Sequence, residues 1–165
     1  MKKLYILVAI AALAFTSCSQ QAENTTDNEK KAPIESPELT GSDTTFSDEH
    51  YSVASNAIAS LKNQDYKKLE NYMVTEFLPP QGFDSLEFIV NIAEYIVDKD
   101  LPNKESVVLK VGLNSYKGKK IPFKTYDFPF YAVEGKDTVG RSAIVVTFAD
   151  EIEKNKIANL SFRDY

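Results

Sequence analysis

The spacing of apolar positions changes along this chain, and the changes divide it. An unbroken apolar run from Leu4 to Phe15 follows Met1-Lys2-Lys3, and a polar stretch then extends to about Thr45. From Phe46 to Tyr165 the apolar density is high throughout. The first part of that region has helical spacing. In "SDEHYSVASNAIASLKNQ", Ala54, Ala57, Ile58 and Leu61 share one helical face, with Ser47 as N-cap and Asp48 and Glu49 as an acidic first turn. A second helix is predicted from Asp65 as N-cap through "YKKLENYMVTEFL", with Tyr66, Leu69, Tyr72, Met73 and Phe77 on one face and Pro79-Pro80 as its stop. A third is predicted in "FDSLEFIVNIAEYIVDKD". There Asp84 and Glu87 form a capping-box pattern, Phe83 and Phe88 sit at staple positions, and Leu86, Ile89, Val90, Ala93, Ile96 and Val97 form the stripe.

From Ser106 the period falls to two. Four strands are predicted in "SVVLKVGLNSY", "KIPFKTYDFPFYAVE", "TVGRSAIVVTFAD" and "IANLSFRDY", separated by turns at Lys117-Gly118, at Glu134 to Asp137 and at "EKNK". Each strand is long enough to pair with its sequence neighbour. Pro122 and Pro129 both fall in the second strand, which places it at an edge or bulges it there. The pattern predicts an α+β fold: three N-terminal helices packed on a curved antiparallel four-stranded meander.

The N-terminal run is a basic n-region, an apolar h-region and a small-residue cleavage site, the layout of a secretory signal. It is shorter than the roughly 20 apolar residues that a membrane span requires. Cys18, the only cysteine, ends it. A disulfide would need a second thiol, a zinc site needs several ligands at defined spacing, and a catalytic thiol belongs in a folded pocket. The residues Phe15-Thr16-Ser17-Cys18 resemble the lipobox of bacterial lipoproteins, with Phe15 where that motif usually has Leu. The resemblance implies that the Cys18 thiol carries diacylglycerol, that residues 1–17 are removed as a signal peptide, and that the new amino terminus is acylated. The remaining alternative is an ordinary signal peptide with a leftover cysteine. Ser19 stands where an inner-membrane retention signal often has Asp, which favours the outer membrane. Gln21-Ala22-Glu23-Asn24 resembles the export tag of Bacteroidetes surface lipoproteins and departs from it at Asn24. Between Ser19 and Thr45 the only large aliphatics are Ile34 and Leu39, too few to offset the entropy of ordering. Residues 18–45 are therefore predicted to be a lipidated cysteine and a disordered tether spanning roughly 30 Å.

Over about Asp48 to Tyr165, the order of elements, the turn "KNQDYKKLENYM" and the terminal strand pair "RSAIVVTFAD…NKIANLSFRDY" resemble the NTF2-like (cystatin-like) superfamily. The resemblance implies one domain, residues 46–165, shaped as a cone whose helices and sheet enclose an apolar pocket. Enzymes and binding modules share that fold, so it does not fix a function.

Charge and chemistry narrow the classes. The chain has 19 basic and 24 acidic residues, a net charge of −5 that becomes −7 when Lys2 and Lys3 leave with the signal peptide. That balance argues against a nucleic-acid partner. No phosphate-binding loop, nucleophile elbow or metalloprotease motif is present, and neither a metal nor a cofactor is expected. His50, the only imidazole, reads as a solvent-facing residue at a helix start. Acid and tyrosine candidates for proton-transfer chemistry are Asp65, Tyr66, Tyr72, Tyr95, Tyr126 and Asp127. Asp65 reads as an N-cap and Asp127 as a solvated or turn position, so no catalytic residue is assigned. In "KTYDFPFYAV", Tyr126, Phe128 and Phe130 share a strand face and Tyr131 points the other way. Such a stripe is ordinarily core. If the strand lines a cone mouth, these rings with Tyr72, Phe77, Tyr95 and Phe148 are the pocket candidates. The sequence leads to a lipid-anchored cell-envelope protein with a non-catalytic domain that binds a small apolar ligand or an envelope protein, with a homodimer through the sheet as a further expectation. The alternative is a small isomerase- or hydratase-like enzyme with an inward carboxylate.

Overall fold

The computed structural model describes residues 44–134 and 137–165. Cys18, the leader and the predicted tether up to residue 43 lie outside the described residues.

Helix α1 spans Asp48–Lys62, with the Ser47 side chain accepting the His50 backbone N–H at 3.2 Å. Ala54, Ala57, Ile58 and Leu61 are buried, as the spacing predicts. The helix ends in a Schellman arrangement: Gln64 is left-handed (φ 55°), its N–H bonds the Leu61 carbonyl, and the Asp65 N–H bonds the Ser60 carbonyl. Helix α2 follows at Tyr66–Glu70, capped by Asp65, whose side chain accepts the Lys68 N–H at 3.1 Å. It stops well short of the predicted length. The next backbone groups leave the helical ladder for the sheet: Ile157 N–H donates to the Tyr72 carbonyl and Val74 N–H to the Ile157 carbonyl, making a parallel bridge at Met73. A short 3-10 turn at Thr75–Phe77 then precedes the prolines.

Helix α3 spans Glu87–Ile96. The predicted capping box is absent, because Phe83–Ser85 forms a separate 3-10 turn and Leu86 occupies the N-cap without a side-chain bond. The staple is absent too: Phe83 is buried in the core, whereas Phe88 is 50 % exposed. The buried face is Ile89, Ile92, Ala93 and Ile96, and Val97 is exposed. Gly82 makes the turn before it, with φ 80° and ψ 164°, a region that favours glycine. A Cβ there would lie 2.8 Å from Asp84 Oδ1. Gly82→Ala is expected to destabilise the fold by about 1–3 kcal/mol, read as a lower urea midpoint at constant slope. An unchanged midpoint would mean that the turn relaxes at no cost.

Strands β1 (Val108–Tyr116), β2 (Lys119–Glu134), β3 (Asp137–Phe148) and β4 (Ile157–Asp164) form one antiparallel sheet in sequence order. The meander is as predicted, but β2 is an interior strand. Its prolines are accommodated by register. Pro122 lies beyond the last β3 pair, Lys124↔Phe148, and Pro129 lies beyond the first β1 pair, Val108↔Asp127. Each proline therefore sits where one neighbour has already ended and no ladder donor is needed there. Tyr126, Phe128, Phe130, Ile144, Val146 and Phe148 join the buried faces of α1 and α3 in one core.

Candidate functional site

The side chains named as pocket candidates are spread over the core and the surface. Tyr126, Phe128, Phe130 and Phe148 are buried, and with Ile144 and Val146 they fill the sheet face that the helices cover. Tyr72 is partly buried against that core, and Phe77 stands edge-on to Tyr116 at 6.0 Å on the surface. Tyr95 lines an open apolar hollow of 530 Å³ between α3 and β4. Phe88, Asn91, Ile92 and Tyr95 reach it from α3 at helical spacing, and Ser161 and Phe162 reach it from the edge strand β4. Phe162 meets Tyr95 edge-to-face at 5.2 Å and 74°. The Tyr95 hydroxyl accepts from Ser142 Oγ at 2.8 Å, which fixes the ring from beneath. Phe130 reaches a second hollow of 390 Å³ with Leu101, Pro102 and Tyr131.

The acids are committed elsewhere. The Asp65 carboxylate is spent on its cap, and the neighbouring Tyr66 phenol is raised above its ordinary pKa by burial and then by Glu94 and Asp84. Asp127 is not solvated, as its sequence position suggested, but 2 % exposed. It lies on the sheet face opposite Tyr126 and Phe128. Its Oδ2 accepts from Lys110 Nζ at 2.5 Å, Tyr165 Oη at 3.0 Å and Arg163 Nη1 at 3.3 Å, while Oδ1 is buried without a partner. The Lys110 and Arg163 charges and the Tyr165 hydroxyl offset the cost of burying this side chain in an apolar strand.

His50 is the largest departure from the sequence reading. It is 2 % exposed, stacked on Phe148 with ring centroids 4.1 Å apart and an interplanar angle of 1°. Nε2 lies 3.1 Å from Asp150 Oδ1, and Nδ1 lies 3.2 Å from the Tyr126 hydroxyl. A carboxylate only accepts, so the partners assign the proton to Nε2. Tyr126 O–H then donates to Nδ1 while its oxygen accepts the Ser47 N–H at 3.2 Å. Asp150 also accepts the Asn155 N–H at 2.9 Å, so one chain of bonds joins the start of α1, the middle of β2 and the β3–β4 connection. Burial lowers the His50 pKa against the raising pull of Asp150, and burial raises that of Tyr126. Both ring nitrogens are engaged and the ring is covered, which leaves no nitrogen for a substrate. The trio ties three elements together.

Among the described residues no three His, Cys, Asp or Glu side chains group to hold a metal ion, and no helix is long and apolar enough to cross a membrane. Comparison with protein-family models, curated proteins and solved structures finds no match to this chain.

Proposed function

We propose that this chain is a lipid-anchored protein of the bacterial cell envelope, held by acylated Cys18 in the outer membrane, whose body binds a small apolar ligand and is not a catalyst. The observation that carries the binding reading is the groove between α3 and β4. Its 530 Å³ falls in the range of small-molecule sites, and its walls are Phe88, Ile92, Tyr95 and Phe162 with only Asn91 and Ser161 as polar groups. We read the body as an NTF2-like domain whose interior has been filled by aromatic side chains, with its binding surface moved to the α3–β4 edge. Against the isomerase or hydratase alternative stands the placing of the acids: Asp65 caps a helix, Asp127 is clamped on the far face, and Asp150 holds His50.

Protein purified from its native envelope and extracted into organic solvent is expected to yield a stoichiometric apolar molecule by mass spectrometry. Phe88 is half exposed, so Phe88→Lys leaves the core intact. Removing that ring from the groove is expected to weaken binding of an apolar fluorescent probe by about 10- to 30-fold, the loss of about 1.5–2 kcal/mol of apolar burial. Equal binding by the variant and the parent would move the site away from this groove.

A further inference from the structure

A net charge of −5 conceals a local excess of the other sign. Between Ser106 and Tyr126 the chain carries Lys110, Lys117, Lys119, Lys120 and Lys124 and no Asp or Glu. Strands β1 and β2 fold this run into a hairpin. Lys117 (φ 48°) and Gly118 (φ 78°) are the two central residues of its turn, the paired positive values of a type I′ connection, and Tyr116 pairs with Lys119 directly behind them. Lys110 is held by Asp127 and Lys117 by Glu76 at 2.9 Å. Lys119 and Lys120 are exposed and have no acidic partner among the described residues.

The same hairpin carries apolar groups that the helices leave uncovered. Val111 pairs with Lys124, Leu113 with Pro122 and Ser115 with Lys120, so these six side chains share one face, and Val111 and Leu113 are exposed on it. On the opposite face, where Tyr116 pairs with Lys119, exposed Phe77 packs beside the turn against Tyr116. A hairpin that carries lysines and exposed apolar side chains on both of its faces suits the headgroup region of an anionic bilayer, where cations meet lipid phosphates and apolar groups enter the acyl boundary. Thr45, which precedes α1, lies there too: Lys124 Nζ donates to its carbonyl at 3.2 Å. The residues just before α1 thus lie beside the basic strand.

From this juxtaposition we infer that the β1–β2 hairpin docks on an anionic membrane surface and sets the orientation in which the body is held. The inference rests on the lipid anchor for its strength. Each lysine near such a surface contributes about a fivefold gain, too little for a free protein at this net charge. A tether that keeps the body at millimolar effective concentration near the bilayer makes the same contact well populated. The α3–β4 groove is on other elements and stays open for ligand.

The test uses full-length lipidated protein mixed with vesicles of phosphatidylcholine alone or with about one third phosphatidylglycerol, read by flotation and by hydrogen exchange of residues 108–124. Flotation with both vesicles, with hairpin protection only on the anionic ones and its loss at about 0.5 M salt, supports the inference. The variant Lys119→Glu/Lys120→Glu, checked for an unchanged circular dichroism spectrum, should still float and lose about 30-fold or more of that protection. Equal exchange on the two vesicles overturns the docking and leaves the anchor standing. Flotation on anionic vesicles alone, abolished in the variant, supports the docking and removes the anchor. Flotation with neither overturns both. Protection that appears only in intact envelopes assigns the hairpin to an acidic protein and also overturns the inference.

Discussion

Replacing His50 with alanine is expected to destabilise the body by about 2–4 kcal/mol, because it opens a cavity against Phe148 and leaves the buried Tyr126 hydroxyl without its acceptor. Tyr126 O–H would lose its acceptor in a buried site, and Asp150 would lose the Nε2–H donor. Tyr126→Phe removes one hydroxyl and is expected to cost about 1–2 kcal/mol, since Ser47 N–H and His50 Nδ1 then lack their partner. The double variant should lose less than the two separate costs added together, because both remove the same bond. Additive losses would show that the Tyr126–His50 contact contributes nothing.

The pH dependence has a definite sign. Burial lowers the folded His50 pKa, so the unfolded chain takes up a proton near pH 6.5 that the folded protein still refuses. The stability that neutral His50 supplies is complete above about pH 6.5 and is lost as the pH falls from there through the lowered folded value. The geometry agrees, since a protonated Nδ1 can no longer accept, and the Tyr126 O–H would have to turn away and leave its proton without an acceptor in a buried site. Lys124 opposes the imidazolium, while Asp150 and Glu49 favour it. Urea midpoints should therefore fall as the pH is lowered below about 6.5 in the parent, with a slope below about 1.4 kcal/mol per pH unit from this group. His50→Gln should flatten that segment. A parent curve that is flat there, or a variant that keeps the slope, would assign the dependence to carboxylates instead.

The reading that failed at His50 was recoverable from the sequence. Positions 50, 54, 57, 58 and 61 continue one helical stripe, so His50 belongs to the same face as Ala54, Ala57, Ile58 and Leu61. A histidine on a core stripe needs a partner for each nitrogen. What the sequence could not give was their identity, because Tyr126 and Asp150 arrive through sheet register. Asp127 is similar. "AIVV" at 143–146 is apolar without alternation, and Ala143 and Val145 are buried on the face away from the helices, so that face was never a simple solvent face. The features read correctly are those set by local period: the α1 stripe, the four strands, and the split of Tyr126, Phe128 and Phe130 from exposed Tyr131. The features read wrongly depend on distant pairing. Nothing in "NYMV" reveals that its backbone bonds Ile157, and nothing near Pro122 or Pro129 reveals where the adjacent strands stop. The groove has no local signature either, because α3 and β4 come together only in the fold.

Cys18→Ala is expected to produce the largest effect of any single substitution, and in location, leaving stability untouched. Each buried methylene contributes about 0.8 kcal/mol, so one acyl chain holds a protein marginally and two or three hold it firmly. Without the thiol there is no site for diacylglycerol, and the processing that the lipobox resemblance implies has no substrate. The parent should partition almost wholly into the membrane fraction, with a mature mass that begins at Cys18 and carries the acyl groups. The variant should appear either as soluble protein or as a precursor whose mass still includes residues 1–17, held only by the apolar run from Leu4 to Phe15. Its circular dichroism and urea midpoint should match the parent, since the core, the His50 tie and the Asp127 cluster are all built from residues beyond Phe46. A variant that stays on the membrane with its leader removed would sink the anchor. Attachment would then have to come from the body, and the salt sensitivity of that attachment would decide whether the hairpin lysines supply it.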